Sequence, residues 1–477
     1  MSQQATFYFY DFETWGADPK RDRPSQFAGI RTDADFNPIG KPDMWYCQLA
    51  PDYLPHPQAA LITGITPQVC QQRGLPEVEF MERILQRFAE PDTCVLGYNS
   101  IRFDDEVTRH SLYRNFYEPY GREWQHGNSR WDIIDMVRAC YALRPEGIEW
   151  PLRDDGSPSF KLEHLSKANR LEHEQAHDAL SDVYATITIA KLIRTKQPKL
   201  FQFLFEHRKK QALTKYMDPA NLTPLVHVSS KFPAAQGCVS WVVPLAFHPT
   251  NKNAVIAYNL LADPTPMLEL DTATLRQKLY MKTADLAEGE QRLGIKLIHL
   301  NKCPVLAPAK TLSEQRADAL GIDRSLCRKH LDILLAHREL QQKAVALFSE
   351  AEDFPPESNP DYQLYQGFLS KEDQQKMQQL HQLNPVQLEA SPPLFSDDRL
   401  NQLLFRFRAR NYPASLTEQE MLQWQQYCVE RLAEGLDQPP LTLEGFHQQL
   451  EQCAQEHQHD ERAIRILKAL YHYAEQL

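Results

Sequence analysis

The chain has 477 residues, of which 42% are hydrophobic and 24% are charged, and its formal net charge is −11. A chain of this length and ordinary composition is expected to form two to four globular units. The negative charge excludes a protein that coats nucleic acid with its whole surface, so any nucleic-acid contact needs a local basic groove. No stretch has the length and apolar character of a membrane span, so no membrane association is expected.

Nine cysteines are scattered along the chain, and none of them forms a C-x-x-C pair. This pattern indicates neither a zinc knuckle nor a disulfide framework. The odd number of cysteines favours the reducing cytoplasm, as does an N-terminus without a basic region followed by an apolar core.

The first part of the chain, up to about residue 199, alternates predicted strands and helices, which indicates an α/β domain with a sheet covered by helices. Strands are expected at residues 6–10, 44–49 and 93–99. A turn-rich loop is expected at residues 61–67, and helices are expected at 78–88, from about 104, at 130–143 and at 177–193.

After residue 199 the pattern becomes that of a small β-rich domain with some helix. Short strands are expected at residues 226–228, 239–243, 254–258 and 296–300, and helices at 313–319 and 325–350. A segment with several prolines and acidic residues, 352–360, indicates a domain boundary. From residue 361 to the end, Gln, Glu and Leu recur with helical spacing, which predicts an all-helical domain.

The opening strand runs directly into two acidic residues, Asp11 and Glu13. Residues two apart on a strand point to the same face, so these carboxylates are expected side by side. Two carboxylates at the end of a buried strand repel each other unless a cation lies between them, and Mg²⁺ prefers such oxygen ligands. The alternative is a strand that ends in a solvated loop, and the D-x-E motif alone favours that alternative.

Three further residues make the motif meaningful: Asp104, His177 and Asp182. Asp104 opens a predicted helix, where an acid can also simply cap the N-terminus. His177 and Asp182 lie five positions apart, about 140° around a continuous helix, so they share a site only if His177 precedes the helix or lies in its first turn. Taken singly, each residue is explained as a cap or a surface side chain.

Taken together and in this order, these residues resemble the three motifs of the DEDDh exonucleases, the proofreading-type 3′→5′ exonucleases with a ribonuclease H-like fold. The resemblance covers roughly the first 195 residues. Further segments resemble bacterial exonuclease I: GYN at 97–99, RFDDE at 102–106, ALRPEG at 142–147, WP at 150–151, FKLEHL at 160–165, NKCPV at 301–305 and RARNYP at 408–413. The chain is identified as a member of that family of single-strand-specific DNA exonucleases, which implies a role in DNA repair or recombination.

The resemblance implies three domains. Residues 1–197 would form the α/β, ribonuclease H-like exonuclease domain, and residues 198–352 a Src-homology-3-like domain that contains a β-barrel. Residues 353–477 would form an all-α C-terminal domain. The composition changes near residue 199 and at 352–360 agree with this division.

The resemblance also implies a two-metal mechanism with Mg²⁺, for which Mn²⁺ can substitute. Asp11 would bridge both ions, Glu13 and Asp182 would complete the site for the ion on the nucleophile's side, and Asp104 would hold the ion on the leaving group's side. His177 would be the general base, a role that suits its ordinary pKa of ~6.5.

Substrate contacts are expected at Glu13, Thr14 and the loop at 61–66, which would frame the 3′-terminal nucleotide. Pairs of a cationic and an aromatic side chain suit the phosphates and bases of single-stranded DNA. The candidates are Arg109, Tyr120, Trp124, Arg138, Phe160 and Lys161. The alternative for each is a solvated arginine or a core aromatic residue. Lys161 stands where relatives carry arginine, which keeps the charge but loses the bidentate fork.

Family resemblance further implies a monomer that binds the acidic C-terminal tail of single-stranded-DNA-binding protein, and Arg144 is the first candidate for that contact. Two other functions remain open from the sequence. A DEDDh exoribonuclease or RNase T-like trimmer would need little more than the first domain, so everything after residue 197 counts against it. A non-catalytic DNA-binding scaffold would have no reason to keep repelling carboxylates together.

Overall fold

The computed structural model describes residues 5–171, 179–282, 285–286, 291–349 and 357–477. Its strands are β1 (Thr6–Thr14), β2 (Pro24–Thr32), β3 (Asp43–Tyr46), β4 (Thr93–Gly97), β5 (Ser129–Asp132), β6 (Leu225–Val228), β7 (Val239–Phe247), β8 (Ala254–Asn259), β9 (Ile295–His299) and β10 (Val305–Pro308).

The helices fall into three groups along the chain. The first group is α1 (Pro57–Thr63), α2 (Pro67–Arg73), α3 (Glu77–Phe88), α4 (Asp104–Arg114), α5 (Ile133–Leu143), α6 (Leu162–Ala168) and α7 (Ala179–Lys196). The second group is α8 (Pro198–Glu206), α9 (Lys210–Thr214), α10 (Thr265–Glu269), α11 (Thr272–Tyr280), α12 (Glu314–Ala319), α13 (Arg324–Ala336) and α14 (Glu339–Ala346). The third group is α15 (Lys371–Leu380), α16 (Pro385–Ala390), α17 (Asp398–Asn411), α18 (Glu418–Val429), α19 (Leu443–Glu456) and α20 (Glu461–Ala474).

The described residues form two compact units that do not follow the order of the chain. The first unit combines residues 5–129, 179–184 and 357–477, so the C-terminal helices belong with the opening strands. The second unit contains the described residues within 130–171 and 185–349. The domain boundaries expected after residues 197 and 352 stay predictions.

In the first unit, four strands of a mixed sheet lie in the order β3-β2-β1-β4. β2 is antiparallel to both of its neighbours, whereas β4 runs parallel to β1, with Phe9 opposite Leu96. Parallel strands end at the same edge of a sheet. The chain that leaves β4 therefore starts out beside the end of β1 that carries Asp11 and Glu13.

The aromatic residues of β1 explain why it is buried. Tyr8, Tyr10 and Phe12 share one face and pack into a core cluster with Phe27 and Phe88. The Tyr10 and Phe88 ring centroids lie 4.8 Å apart, and those of Phe12 and Phe27 lie 5.1 Å apart. Each such ring contributes roughly 1.5–3 kcal/mol on burial. This core holds the strand firmly, and the opposite face is left for Asp11 and Glu13.

Three strands, β2, β5 and β10, are absent from the sequence-based expectation. Gly29 in β2 reads as a breaker in the sequence. In the structure a Cβ at this position would lie 2.5 Å from the Tyr8 ring, so glycine permits a close approach to β1. Of the loop expected at 61–67, residues 64–66 are a link that starts at Gly64 with φ of 72°, whereas residues 61–63 belong to α1 and Pro67 begins α2.

The single helix expected at 325–350 is instead α13 followed by α14. The break lies at His337, whose φ of −119° and ψ of 69° are not helical. Neither proline nor glycine marks this position, so the sequence pattern runs through it without a stop signal.

The second unit contains the β-rich part that the sequence predicts. Its five strands form a sheet in the order β10-β6-β7-β8-β9, and every neighbouring pair is antiparallel. A core beneath this sheet includes Leu213, Val242, Val255, Ile298 and Leu306.

The C-terminal part is helical, as predicted: residues 357–477 contain α15 to α20 and no strand. These helices complete a core with the opening part of the chain, since Phe446 and Leu467 pack in one cluster with Trp15, Tyr53 and Ile65. In the described parts of the chain, no helix is long and apolar enough to cross a membrane.

A buried ion network joins the C-terminal helices to the opening part of the chain within the first unit. Arg410 on α17 binds Asp52 through Nη2 at 2.7 Å and Asp361 through Nη1 at 2.6 Å. Arg406 binds the second oxygen of Asp361 at 2.8 Å, and Arg431 donates to the backbone carbonyl of Asp52 at 3.0 Å. Both aspartates are fully buried. Each therefore depends on its arginine partners to remain charged.

Lowering the pH from about 4 to about 2 is expected to remove the stability that Asp52 contributes. Burial raises the pKa of this carboxyl, but the charges of Arg410, Arg23 and Arg431 outweigh burial and lower its pKa from 3.8 to about 2. Because the folded-state pKa is depressed, the stabilisation of roughly 2 kcal/mol is complete above the unfolded pKa and is lost as the pH falls through the folded one. Urea unfolding at several pH values measures the free energy of unfolding. Between about pH 4 and pH 2 this free energy should fall less steeply with decreasing pH for Asp52→Asn than for the wild type. Equal slopes would contradict the assignment.

Candidate active site

Strand β1 presents Asp11 and Glu13 on one face, while Tyr10 and Phe12 are buried on the other. This is the alternation that the sequence predicts for a strand. Asp182 lies at the start of α7, three residues after Ala179. Asp11, Glu13 and Asp182 each offer a carboxylate oxygen, and these three oxygens all lie within 4.8 Å of one another. The structure thus brings together three acids that are up to 171 positions apart in the sequence.

Asp104 reaches the same strand through the turn after β4. The strand ends at Gly97, and a Cβ at this position would lie 2.7 Å from the carbonyl oxygen of Tyr10. Asn99 then adopts a left-handed φ of 65°, which asparagine tolerates better than most residues, and a short 3₁₀ turn leads into α4. This close approach brings the first residue of α4 against β1.

The side chain of Asp104 forms a hydrogen bond with the backbone of β1. Its Oδ1 accepts a hydrogen bond at 3.1 Å from the backbone N–H of Phe12, which lies between Asp11 and Glu13. Asp104 is 4% exposed. Phe103 is the N-cap residue of α4 and makes no side-chain capping bond, so the simple capping explanation for this acid does not describe its position.

Replacing Gly97 by alanine is expected to lower both stability and activity. The added methyl group would meet the backbone oxygen of Tyr10 at 2.7 Å, which forces β4 away from β1 and shifts Asp104 with it. Overpacking of this kind destabilises a protein by about 1–3 kcal/mol. Thermal unfolding and the rate of nucleotide release measure the two effects. Gly445→Ala in α19 is the matched control, since its nearest neighbour would lie at an ordinary 3.6 Å. Equal behaviour of the two variants would contradict the expectation.

The electrostatics of the site centre on Asp11. Burial, followed by the negative charges of Asp104, Glu13 and Asp182, raises the pKa of Asp11 well above its usual range. All four acids therefore interact electrostatically, including Asp104. Carboxylates that raise each other's pKa repel one another, which destabilises the fold when no cation is bound. A cation between them relieves this repulsion, so the arrangement suits a cation-binding site.

His177 lies outside the described residues, so its predicted position beside the acids stays a prediction. Sequence reasoning also missed a neighbouring residue, Asp105. This carboxylate is 1% exposed and accepts hydrogen bonds from Tyr10 Oη at 2.9 Å and Arg122 Nη2 at 2.8 Å. Adjacent residues on a helix point about 100° apart. Asp104 therefore binds the backbone of β1, while Asp105 binds buried polar side chains of the core. The repeated aspartate is the only signal in the sequence.

Comparison with known proteins decides the family. Three family models match the chain: Exonuclease at residues 8–190, Exonuclease I SH3-like domain at 208–350 and Exonuclease I C-terminal domain at 358–477. Exodeoxyribonuclease I of Escherichia coli (strain K12) is 50% identical over 475 residues, which cover 100% of this chain and 98% of that relative. The chain belongs to the exodeoxyribonuclease I family.

Solved structures of exonuclease I are similar to this chain in fold as well as in sequence. The zinc-bound form of the Escherichia coli exonuclease I–single-stranded DNA complex is 49% identical, with a TM-score of 0.94 and coverage of 99% of both chains. A structure of SSB/exonuclease I in complex with the inhibitor CFAM is 49% identical, with a TM-score of 0.92 and coverage of 99% of this chain and 100% of that one. The expected fold class, an exonuclease domain followed by an SH3-like and a C-terminal domain, is confirmed.

Membership of the exodeoxyribonuclease I family confirms the predicted activity. The protein is a hydrolase of the DnaQ-like superfamily, a 3′→5′ exonuclease for single-stranded DNA. Family membership also implies dependence on a divalent metal. The donor set fits, because the residues that the structure brings together offer only carboxylate oxygens, the ligands that such hard cations prefer.

The expected DNA-contact residues of the first unit have different surroundings. Thr14 is buried, and its hydroxyl donates to the carbonyl oxygen of Gly16 at 2.6 Å. Arg109 is 5% exposed, and Glu123 and Glu106 both bind its guanidinium. That guanidinium lies 5.5 Å from the centre of the Tyr120 ring.

Trp124 is 67% exposed, which is unusual for so large an aromatic residue. Of the five residues named as expected DNA contacts in this unit (Glu13, Thr14, Arg109, Tyr120 and Trp124), Trp124 has the most exposed side chain.

The remaining expected contacts lie in the second unit. Arg138 on α5 binds Asp135 at 2.8 Å. Phe160 is 5% exposed and packs edge-to-face on Tyr141, whereas Lys161 is exposed beside Glu163, with its Nζ 3.7 Å from the carboxylate.

Arg144, the expected partner contact, follows α5 in the same unit. Its Nη1 donates to the carbonyl oxygens of Leu143 and of Thr311, the latter at 3.1 Å. The guanidinium is therefore held at a defined place on the surface of the unit.

Proposed function

We propose that Asp11, Glu13, Asp104 and Asp182 hold two divalent cations, Mg²⁺ in the cell with Mn²⁺ as a working substitute. The observation that carries this proposal is the convergence of three carboxylate oxygens within 4.8 Å. Asp11, on which the charges of the other three acids all act, would be the ligand shared by both ions. Asp104 would hold the ion on the leaving group's side, largely through water, as suits the hydrated coordination of Mg²⁺.

Two cations held by these acids would supply a nucleophilic water and would neutralise charge on the phosphate and the departing 3′ oxygen. The protein's own residues provide the rest. His177 accepts the proton of the attacking water, which its ordinary pKa of ~6.5 allows near neutral pH. The hydrogen bond from the Phe12 N–H keeps Asp104 oriented towards β1. The core behind β1 also includes Val107 and Leu112 of α4, so it holds the elements that carry Asp11, Glu13 and Asp104 together.

Single-stranded DNA is expected to follow the cationic and aromatic residues named from the sequence. In this proposal Glu13 and Thr14 frame the 3′-terminal nucleotide, and Thr14 does so through its backbone because its hydroxyl is engaged. Trp124 and Tyr120 stack on bases, and Arg109 orients Tyr120. Arg138, Phe160 and Lys161 are the candidate DNA contacts of the second unit considered by itself, with Lys161 as the exposed charge.

The direct test is the release of 5′-mononucleotides from 3′-labelled and 5′-labelled single-stranded DNA with Mg²⁺, compared with duplex DNA and RNA. Rapid release from the 3′ end of single-stranded DNA, lost in Asp182→Ala, is the expected result. Glu451→Gln, which removes one exposed acid on α19, is the control for the lost charge. Preference for RNA would indicate an exoribonuclease, and tight binding without hydrolysis would indicate a scaffold.

We further propose that the acidic C-terminal tail of single-stranded-DNA-binding protein binds near Arg144. Support comes from the SSB/exonuclease I relative and from the local chemistry, since the guanidinium of Arg316 stacks on Tyr141 at 5.2 Å and Trp150 packs on the same ring. Arg144→Ala should weaken binding of an acidic tail peptide at least about tenfold, because an arginine–carboxylate contact is lost. Nucleotide release from bare DNA should not change, and unchanged peptide binding would refute the site.

A monomer and a reducing compartment such as the cytoplasm complete the proposal. All nine cysteines lie in described segments, and each is a buried free thiol. This supports a reducing environment. Analytical ultracentrifugation measures the molecular mass in solution, which should be that of a single chain.

A further inference from the structure

The loop that joins β1 to β2 carries two adjacent cations, Lys20 and Arg21. Thr14 at the end of β1 pairs with Pro24 at the start of β2. The loop therefore projects from the end of β1 that carries the catalytic acid Glu13. The two cations lie only seven and eight positions beyond Glu13.

Hydrogen bonds within the loop hold it in a defined shape. Asp22 is 2% exposed and accepts hydrogen bonds from Tyr53 Oη at 2.7 Å and from the backbone N–H of Asp18 at 2.8 Å. Asp18 in turn accepts from the backbone N–H groups of Lys20 at 2.9 Å and of Arg21 at 3.3 Å. The loop backbone is fixed, so the two cationic side chains leave it from set positions.

Both cations converge on one anion, Glu357. Its Oε2 lies 2.7 Å from Lys20 Nζ and 3.6 Å from Arg21 Nη2. The two cationic groups also lie 5.7 Å and 5.1 Å from the centre of the Tyr362 ring, and Arg21 Nη1 donates to the carbonyl oxygen of Gln438 at 3.1 Å. The cluster thus binds a single oxyanion from two sides, over an aromatic face.

The cluster lies near the helix that begins with Asp104. Burial, followed by the positive charges of Arg114, Lys20 and Arg109, lowers the pKa of His110 on α4 to about 3. Lys20 is therefore close enough to α4 to act on one of its residues. Both cations remain partly accessible, with side-chain exposures of 36% for Lys20 and 29% for Arg21.

We propose that Lys20 and Arg21 form a phosphate-binding site for single-stranded DNA beside the catalytic carboxylates, and that Glu357 occupies this site as a competing anion until DNA binds. The inference rests on the proposed function, because it takes single-stranded DNA as the ligand. A partly exposed ion pair is weak, so a phosphate of a polyanion can replace the carboxylate. The Asp18 carboxylate, 3.9 Å from Arg21 Nε, stays in place and fixes the arginine.

The experiment measures the binding of a fluorescent oligo-dT by anisotropy, without divalent ions, at several NaCl concentrations. Glu357→Gln removes the competing charge and is expected to tighten binding about threefold to tenfold at low salt. The double variant Lys20→Gln/Arg21→Gln is expected to weaken binding and to lower the slope of log affinity against log salt by about 1.4, the value for two lost phosphate contacts. In that double variant, adding Glu357→Gln should bring no further gain.

The matched control is the exposed pair of Arg83 and Glu79 on α3, whose nitrogen and oxygen lie 2.6 Å apart. Glu79→Gln removes the same charge from an ion pair in the same unit, and binding should not change. The proposal is overturned if Glu357→Gln fails to tighten binding, or if the double variant keeps the wild-type salt slope. Wild-type protein that neither binds nor degrades single-stranded DNA would instead refute the proposed function.

Discussion

Replacing Asp11 by asparagine should abolish nucleotide release while making the metal-free protein more stable. Loss of this proposed metal ligand should remove several kcal/mol of charge stabilisation from the reaction, so the rate should fall about 1,000-fold or more. Stability should rise because burial and three neighbouring acids raise the pKa of Asp11, which means that its charge opposes folding. Two unit charges about 4 Å apart interact by roughly 1–4 kcal/mol in surroundings of high to intermediate polarity.

The raised pKa also sets the direction of the pH dependence. Because the folded-state pKa of Asp11 lies above its unfolded value, the metal-free wild type should gain stability as the pH falls through that folded-state pKa. Asp11→Asn should lack this gain. Thermal unfolding in EDTA at several pH values measures the difference.

Added Mg²⁺ separates the two effects of the substitution. It should raise the unfolding temperature of the wild type, since a ligand that binds only the native state stabilises it, and should raise that of Asp11→Asn much less. Glu451→Gln serves again as the charge control and should follow the wild type. A variant that still responds to Mg²⁺ like the wild type, or that still degrades DNA, would refute Asp11 as the bridging ligand.

Replacing Arg410 by methionine should destabilise the protein by about 3–5 kcal/mol. The substitution leaves the fully buried carboxylates of Asp52 and Asp361 without their main partner, and an uncompensated buried charge has an effect of this size. Burial raises the pKa of Asp361, and the charge of Arg410 is the largest of the effects that nevertheless hold this pKa well below its usual range. Denaturant unfolding measures the loss.

A matched substitution tests whether burial is the reason. Arg83→Met removes an arginine from an ion pair whose side chains are 43% and 44% exposed, and should change the free energy of unfolding by less than about 1 kcal/mol. Adding Asp361→Asn to Arg410→Met should restore part of the loss, because it removes one of the two buried carboxylates that lost Arg410 as a partner. Equal effects of Arg83→Met and Arg410→Met would contradict the role of burial.

Local patterns in the sequence were sufficient for several features. The alternation of β1 predicts that Asp11 and Glu13 share a face, and the structure has them on one face. The helical spacing of residues 78–88 matches α3 to within one residue. The helical C-terminal part and four strands of the β-rich part follow in the same way, because period and turn residues are local properties.

The same patterns failed where the deciding contact was distant. β2 was missed because a glycine such as Gly29 weakens a strand in isolation. Only the structure shows that the Tyr8 ring leaves no room for a side chain at this position. The arginines of α17 carry no signal of a network at their spacing in the sequence. Asp104 could be a helix cap by sequence, and its hydrogen bond to Phe12 depends on a parallel strand that ends at the same edge.

By itself, the sequence determined which residue types are present, the faces on which they lie and, through its motifs, the family. Only the tertiary structure decided that the C-terminal helices share a core and an ion network with the opening part of the chain, more than 300 positions away. The physical reason is that a strand or helix specifies its own period, whereas its partner is chosen by whichever surface buries its apolar face and neutralises its buried charges.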